Sequence, residues 1–347
     1  MTATPRPLGT VLPPVFPIGL GCMGMSEFYG ASDDAESLAT LARAVELGVM
    51  LFDTADTYGL GANEELLRRF IAEGGTARRA RMVIATKFGI VRQAGTYERR
   101  IDNSPAYIRA ACEASLQRLG VEQIDLYYCH RRDAAVPIEE VVGAMAELVR
   151  AGKVKAIGLS EVSADTLRRA HAVHPIAALQ SEYSLFTREP ETDVLPACRE
   201  LGTAFVAYSP LGRAMLTGAL DTARLEAGDF RANNPRFQGE AAAANAALVE
   251  QLGALAREWG LTPAQLALAW MLARQPHAIP IPGTRRIARL EENLAAARVA
   301  LTPAQTARIE AVFAPGAAQG GAIPTPVGRA LKRGAERART RRVLDVC

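Results

Sequence analysis

Short, unbroken apolar runs recur along this chain, and amphipathic stretches separate them. The runs are 17–24, 49–55, 82–89, 124–130, 154–161, 177–184, 204–210 and 278–283. Runs this short, rich in Val, Ile, Leu and Tyr, predict strands buried on both faces of a parallel sheet. The segments between them read as helices. Asp33 with Glu36 predicts a capping box ahead of Leu38, Leu41, Ala42 and Val45. Ser104-Pro105 and Val136-Pro137 put proline in a first helical turn, where its missing N–H costs nothing. The pentapeptide Leu-Thr-Pro-Ala-Gln begins at Leu261 and again at Leu301. It is one helix-start solution used twice, with Thr as cap, Pro first and Gln three residues after the cap.

Eight strands alternating with helices predict an α/β fold, a (β/α)8 TIM barrel, over a doubly wound open sheet. The set fits within 17–293, and no Ser-, Pro- or Gly-rich linker divides it. The expected organisation is one barrel domain over residues 1–315 with N-terminal and C-terminal extensions, then a basic tail over 316–347. Within that tail, residues 329–342 hold seven basic side chains and one acid. This reads as a solvated or disordered tail, with an arm for an acidic partner as the alternative.

Composition narrows the class. Of 347 residues, 49% are hydrophobic and 22% charged, which excludes wholesale disorder. No apolar run approaches the ~18 residues of a membrane helix, and no signal-peptide core follows the N-terminal charge. The expectation is a cytoplasmic protein with no membrane partner. Forty basic against 37 acidic residues give no overall pull toward nucleic acid. Five scattered cysteines without C-x-x-C spacing argue against a disulfide framework and against a metal site. Only four Lys stand against 36 Arg, with four His, so candidates for a catalytic Lys or His are few.

Gly19-Leu20-Gly21-Cys22-Met23-Gly24 matches the dinucleotide fingerprint G-x-G-x-x-G. Its context does not. Pro13, Pro14 and Pro17 precede it, the next helix signal comes near Asp33, and no strand-end acid follows at ~20 residues. The glycines read instead as a turn at a strand end, close to a bound ligand.

Three successive strands end in chemistry. The second closes on Asp53, with Tyr58 five residues on; the third closes on Lys87; the fourth on His130. Barrel active sites sit where strands end and loops begin. Each residue alone reads as a cap, a solvated cation or an interior imidazole, but together they can converge. Lys87 beside Tyr58 would lower the phenol's pKa from its reference of ~10. Asp53 would keep Lys87 charged, and His130 would orient a substrate oxygen. Such a set protonates an oxygen as it becomes an alkoxide, which carbonyl reduction requires.

Later strand ends suit a hydride-donating cofactor. Ser160 and Gln180 could hold a carboxamide, and Tyr208 could stack on a nicotinamide ring. Gly212 and Arg213 could approach phosphates. Arg285, Arg286 and Arg289 follow the eighth strand, and arginine forks suit a phosphate monoester, which favours NADP(H) over NAD(H).

These residues resemble the aldo-keto reductase superfamily, and most closely its bacterial and plant branch with a Gly-Leu-Gly-Cys-Met-Gly-Met-Ser start. The likeness spans about Leu20 to Phe313. It rests on Phe52-Asp53-Thr54-Ala55-Asp56-Thr57-Tyr58-Gly59, Ala85-Thr86-Lys87-Phe88-Gly89, Asp125-Leu126-Tyr127-Tyr128 before His130, Tyr208-Ser209-Pro210-Leu211-Gly212-Arg213, and Arg289-Leu290-Glu291-Glu292-Asn293-Leu294. The resemblance implies a barrel that binds NADPH without a Rossmann unit and reduces aldehydes or ketones. It carries the catalytic tetrad onto Asp53, Tyr58, Lys87 and His130. It carries cofactor contacts onto Gly21, Cys22, Met23, Asp53, Ser160, Glu161, Gln180, Tyr208, Ser209, Pro210, Leu211, Gly212, Arg213, Gly283, Arg285, Arg289, Glu292 and Asn293. Departures from the family pattern fall at Cys129, Ala214, Met215 and the alanine run 241–244.

The leading expectation is an NADPH-dependent reductase of a small carbonyl substrate. A cofactor-binding sensor of the channel β-subunit type and a Schiff-base lyase using Lys87 are the alternatives. Phe28, Tyr29 and Phe88 are expected to form an apolar substrate wall. The carbonyl substrate and the oligomeric state are not written in the residues.

Overall fold

A computed structural model describes residues 3–321, apart from residues 31, 96–98, 222–224 and 226–228. The basic stretch 329–342 lies outside the described residues. Eight parallel strands make the central sheet: β1 (Leu20–Gly21), β2 (Leu51–Asp53), β3 (Val83–Phe88), β6 (Ile124–Cys129), β7 (Val154–Ser160), β8 (Ile176–Glu182), β9 (Ala204–Tyr208) and β10 (Ala278–Pro280), in that spatial order. A parallel bridge between Gly21 and Gly283 joins the two ends of the sheet. The arrangement is the expected (β/α)8 barrel, and each expected apolar run overlaps one of its strands.

Strand parity divides the core in two. Leu51, Val83, Ala85, Leu126, Tyr128, Ala156, Ala178, Val206 and Ile279 fill the barrel interior. Their neighbours Phe52, Ile84, Phe88, Tyr127, Ile157, Leu179 and Phe205 point outward and pack under the helices. This is the period-two alternation of side chains on a strand. The N-terminal extension plugs the barrel floor. Arg6 and Val15 pair antiparallel, and Leu8, Leu12 and Val15 pack into the interior cluster. The Arg6 guanidinium ties this plug down on the carbonyls of Leu272, Gln275 and Ala278.

Helix starts follow the sequence closely. Asp33 caps α1 (Asp34–Glu46) by accepting from Glu36 N at 2.8 Å, but the expected capping box does not close, since Glu36 does not return a bond to the cap backbone. The Glu36 carboxylate faces Arg285 at 3.9 Å. Ser104 caps α3 (Pro105–Leu119), with Pro105 first in the helix. Both Thr-Pro-Ala-Gln segments form complete capping boxes, Thr262 with Gln265 on α8 (Pro263–Arg274) and Thr302 with Gln305 on α10 (Pro303–Val312). Pro137 differs from expectation: it is the cap residue itself, and α4 begins at Ile138 (Ile138–Arg150).

The glycine motif has a different cause from a turn. None of Gly19, Gly21 and Gly24 adopts a positive φ. A Cβ on Gly21 would lie 2.9 Å from the Ile281 carbonyl oxygen, and one on Gly19 would lie 2.9 Å from Ile281 Cγ2. Glycine stands here because β1 and the chain after β10 meet backbone to backbone at the barrel seam. One small element lies outside the expected runs: an antiparallel hairpin of β4 (Ile90–Arg92) and β5 (Arg99–Ile101), which follows β3.

Candidate active site

The parity that fills the barrel also aims its polar residues. With Leu51 inward, Asp53 must point inward; with Val83 and Ala85 inward, so must Lys87; with Leu126 and Tyr128 inward, so must His130. Ser160, Gln180 and Tyr208 stand at the same parity on β7, β8 and β9. Asp53 and Lys87 meet: Lys87 Nζ lies 2.5 Å from Asp53 Oδ1, 2.8 Å from the Thr54 carbonyl and 3.2 Å from the Tyr58 hydroxyl. Gln180 Nε2 donates to the other carboxylate oxygen of Asp53 at 2.7 Å. The Lys87 side chain is fully buried, at 0% exposure. The rings of Tyr58 and His130 stand edge to face with centroids 5.8 Å apart. The four expected catalytic residues therefore share one place.

Burial would strip Lys87 of its charge, but Asp53 and the Tyr58 phenol outweigh it, and the ammonium's pKa stands above the ordinary lysine value. Tyr58 feels Lys87 in the expected direction, but burial outweighs it. Burial raises its pKa, Lys87 pulls it back, Asp53 adds to the rise, and the net lies above 10.0. Tyr58 is thus a protonated phenol across neutral pH. Burial, then the positive charges of Lys87, Arg131 and Arg99, hold the His130 imidazole well below 6.5, so it is neutral. Its Nδ1 is buried without a hydrogen-bond partner.

The loop carrying Tyr58 is fixed from outside. Glu27 takes a two-point ion pair from Arg92, at 2.6 and 2.8 Å, and accepts from Gly59 N at 3.0 Å. Arg92 also donates to the Thr57 carbonyl at 3.0 Å. Asn63, on α2 (Ala62–Arg79), bonds Thr54 Oγ1 and donates to the Cys22 carbonyl. Two residues before Tyr58, the half-buried Asp56 carboxyl is pushed up to about 7 by burial and by Glu64. Glu27 and Arg131 fall in the stretches 25–29 and after His130 from which the sequence predicts pocket lining, whereas no sequence signal singles out Arg92 or the titration of Asp56.

Expected cofactor residues fall into three groups. At the seam, Gly21 and Gly283 pair, Cys22 N donates to the Asp53 carbonyl at 2.8 Å, and Met23 starts a short 3-10 turn. At the strand ends, Ser160 Oγ accepts from Arg131 at 3.1 Å, and Glu161 Oε1 accepts from Glu182 N at 2.9 Å. After β9 the chain turns sharply through Ser209, Pro210, Leu211, Gly212 and Arg213, with positive φ at Ser209, Gly212 and Arg213. Arg213 pairs with Glu182 at 2.8 Å, a carboxylate it shares with Arg236 at 3.3 Å. Beyond β10, Arg285 and Arg289 precede and begin α9 (Ile287–Ala295). Each has an acid no nearer than 3.9 Å, Glu36 and Glu292 respectively, and Asn293 is buried beside them on the helix. Two guanidinium forks held this loosely can accept a phosphate monoester. Phe88 corrects the expected substrate wall: it is buried on the outward face and stacks on Tyr127 at 4.9 Å.

The comparisons agree with this architecture. The model of the Aldo/keto reductase family matches residues 17–314. An aldo-keto reductase of Schizosaccharomyces pombe, named for NADP(+), is 45% identical over 296 residues, covering 84% of this chain and 86% of its own. A glycerol dehydrogenase from Gluconobacter oxydans superposes with a TM-score of 0.82 at 28% identity, covering 92% of this chain and 98% of that one. The holo form of an aldo-keto reductase from Bacillus halodurans gives 0.73 at 25% identity, covering 93% and 98%. Among the described residues no helix is long and apolar enough to cross a membrane.

Proposed function

The chain belongs to the aldo/keto reductase family, and we propose that it reduces an aldehyde or ketone to the alcohol with NADPH, Tyr58 acting as general acid. One observation carries this reading: a protonated, 8% exposed phenol lies 3.2 Å from a buried ammonium that is itself paired to Asp53. When bound, the cofactor supplies the hydride that goes to the carbonyl carbon. Tyr58 gives its proton to the oxygen as negative charge develops there. Lys87 lowers the energy of the phenolate left behind, and Asp53 keeps Lys87 charged and aimed. The neutral His130 ring offers an N–H to the same oxygen and fixes its position. Burial of all four excludes water and strengthens each of these interactions.

The residues present fit NADP(H). Ser160 and Gln180 offer the donors and acceptors a carboxamide needs, and Tyr208 offers a ring face. Gly21, Cys22, Met23, Gly283 and the main chain of Ser209, Pro210, Leu211, Gly212 and Arg213 would line the cofactor along the seam, with Asp53 and Glu161 beside the reactive end. Arg285 and Arg289 would take the 2′-phosphate, with Glu292 and Asn293 behind them. The test is to mix purified protein with NADPH and a panel of aldehydes and follow the nicotinamide absorbance. Turnover that requires Tyr58 supports the reading; no turnover of any carbonyl removes it.

A further inference from the structure

The tetrad leaves one charged group at the site without a role. Arg131 follows His130 directly and turns its guanidinium back over the barrel mouth. Its NH1 donates to the His130 carbonyl at 2.8 Å and to Ser160 Oγ at 3.1 Å, and its side chain also hydrogen-bonds to Tyr208. Among the described residues it has no carboxylate partner, unlike Lys87, Arg92, Arg213 and Arg236, which all have one. Yet its charge is felt by both groups that meet the substrate oxygen, the Tyr58 phenol and the His130 ring. Arg99, on β5, adds a second positive charge felt by His130. The hydrogen-bond partners of Arg131 are all uncharged, and the Glu161 carboxylate acts on it only through space; such a partly buried cation keeps an attraction for an anion.

We infer that Arg131 is a specificity-determining residue that binds the carboxylate of a carbonyl substrate, 2-oxo acids being the simplest members of the class. This rests on the reductase reading and narrows it. A carbonyl oxygen held by Tyr58 and His130 places its flanking substituent near the guanidinium, which retains N–H donors not spent on His130, Ser160 and Tyr208. Arginine suits this because its fork matches both oxygens of a carboxylate. The interaction needs no proton transfer and changes no bond; it selects which carbonyl is presented to Tyr58.

The test uses a matched pair, phenylglyoxylate and its methyl ester, which share the reacting carbonyl and differ in charge. The full-length protein and Arg131→Met are compared by kcat/KM with NADPH. The acid-to-ester ratio is expected to fall by ~30-fold or more in the variant, chiefly through the KM of the acid. Arg131→Lys should recover part of that ratio. A ratio unchanged within threefold overturns the inference while leaving the reductase reading intact. In parallel, benzoate and benzamide are titrated by calorimetry against both proteins without turnover. Benzoate binding that is tighter than benzamide and lost in Arg131→Met supports the subsite even if no carbonyl is reduced. Equal binding of both probes to the wild type contradicts it.

Discussion

Lys87 Nζ stands between two oxygens of unlike kind, 2.5 Å from Asp53 Oδ1 and 3.2 Å from the Tyr58 hydroxyl. The short contact fixes the charge, and the longer one is where that charge is used. Lys87→Met would leave Asp53 buried without its counter-ion, which costs about 3–5 kcal/mol in comparable buried pairs. The expected outcome is a lower melting temperature together with a loss of activity. Lys87→Met and Asp53→Asn combined should recover stability in thermal melts without recovering turnover.

The pH profile follows from His130. Its pKa is held well below 6.5 by burial and by Lys87, Arg131 and Arg99, so no proton is taken up near neutrality. For reduction, kcat/KM should show no acid-side fall between about pH 5.5 and 7.5. A fall centred near the ordinary histidine value would mean that the ring is not in this environment.

Arg285 and Arg289 are expected to set cofactor preference. Replacing Arg285 by Ala should raise the KM for NADPH ~10–100-fold, with a much smaller change for NADH. Steady-state kinetics with the two cofactors at fixed aldehyde separates this from a general loss of binding.

Asp56 gives a stability prediction with a definite sign. Its carboxyl is raised from 3.8 to about 7 in the folded protein, so between those pH values the folded state holds a proton that the unfolded chain releases. Its contribution to stability is full below about pH 4 and is lost as pH rises through 7. Asp56→Asn should therefore melt above the wild type at pH 8, by ~2 °C or more, and the gain should shrink toward pH 4. Differential scanning calorimetry at the two pH values checks it.

The barrel and the cluster of Asp53, Lys87 and His130 were legible because parallel strands buried on both faces leave unbroken apolar runs, and because such runs end at these polar residues. The misplacement of Phe88 was avoidable: one residue after an inward Lys87, strand parity sends it outward under the helices. The hairpin of Ile90–Arg92 with Arg99–Ile101 was not legible, since its strands are only three residues long, and Ile90-Val91 merges with the run before it while β5 begins Arg99-Arg100. The seam explains Gly19 and Gly21 only once Ile281 is seen opposite them, a contact between the two ends of the sheet that no local pattern encodes. Tyr58 was read as acidified because a neighbouring cation is visible in sequence and the depth of burial opposing it is not.

The central claim is that Tyr58 delivers the proton for carbonyl reduction. The most direct measurement is single-turnover oxidation of bound NADPH by an aldehyde in wild type and in Tyr58→Phe, with cofactor affinity measured for both by fluorescence titration. The account predicts equal NADPH affinity and a chemical step slowed ~100-fold or more in Tyr58→Phe. A variant that oxidises NADPH at the wild-type rate, or a wild type that retains NADPH and reduces no carbonyl, would contradict it.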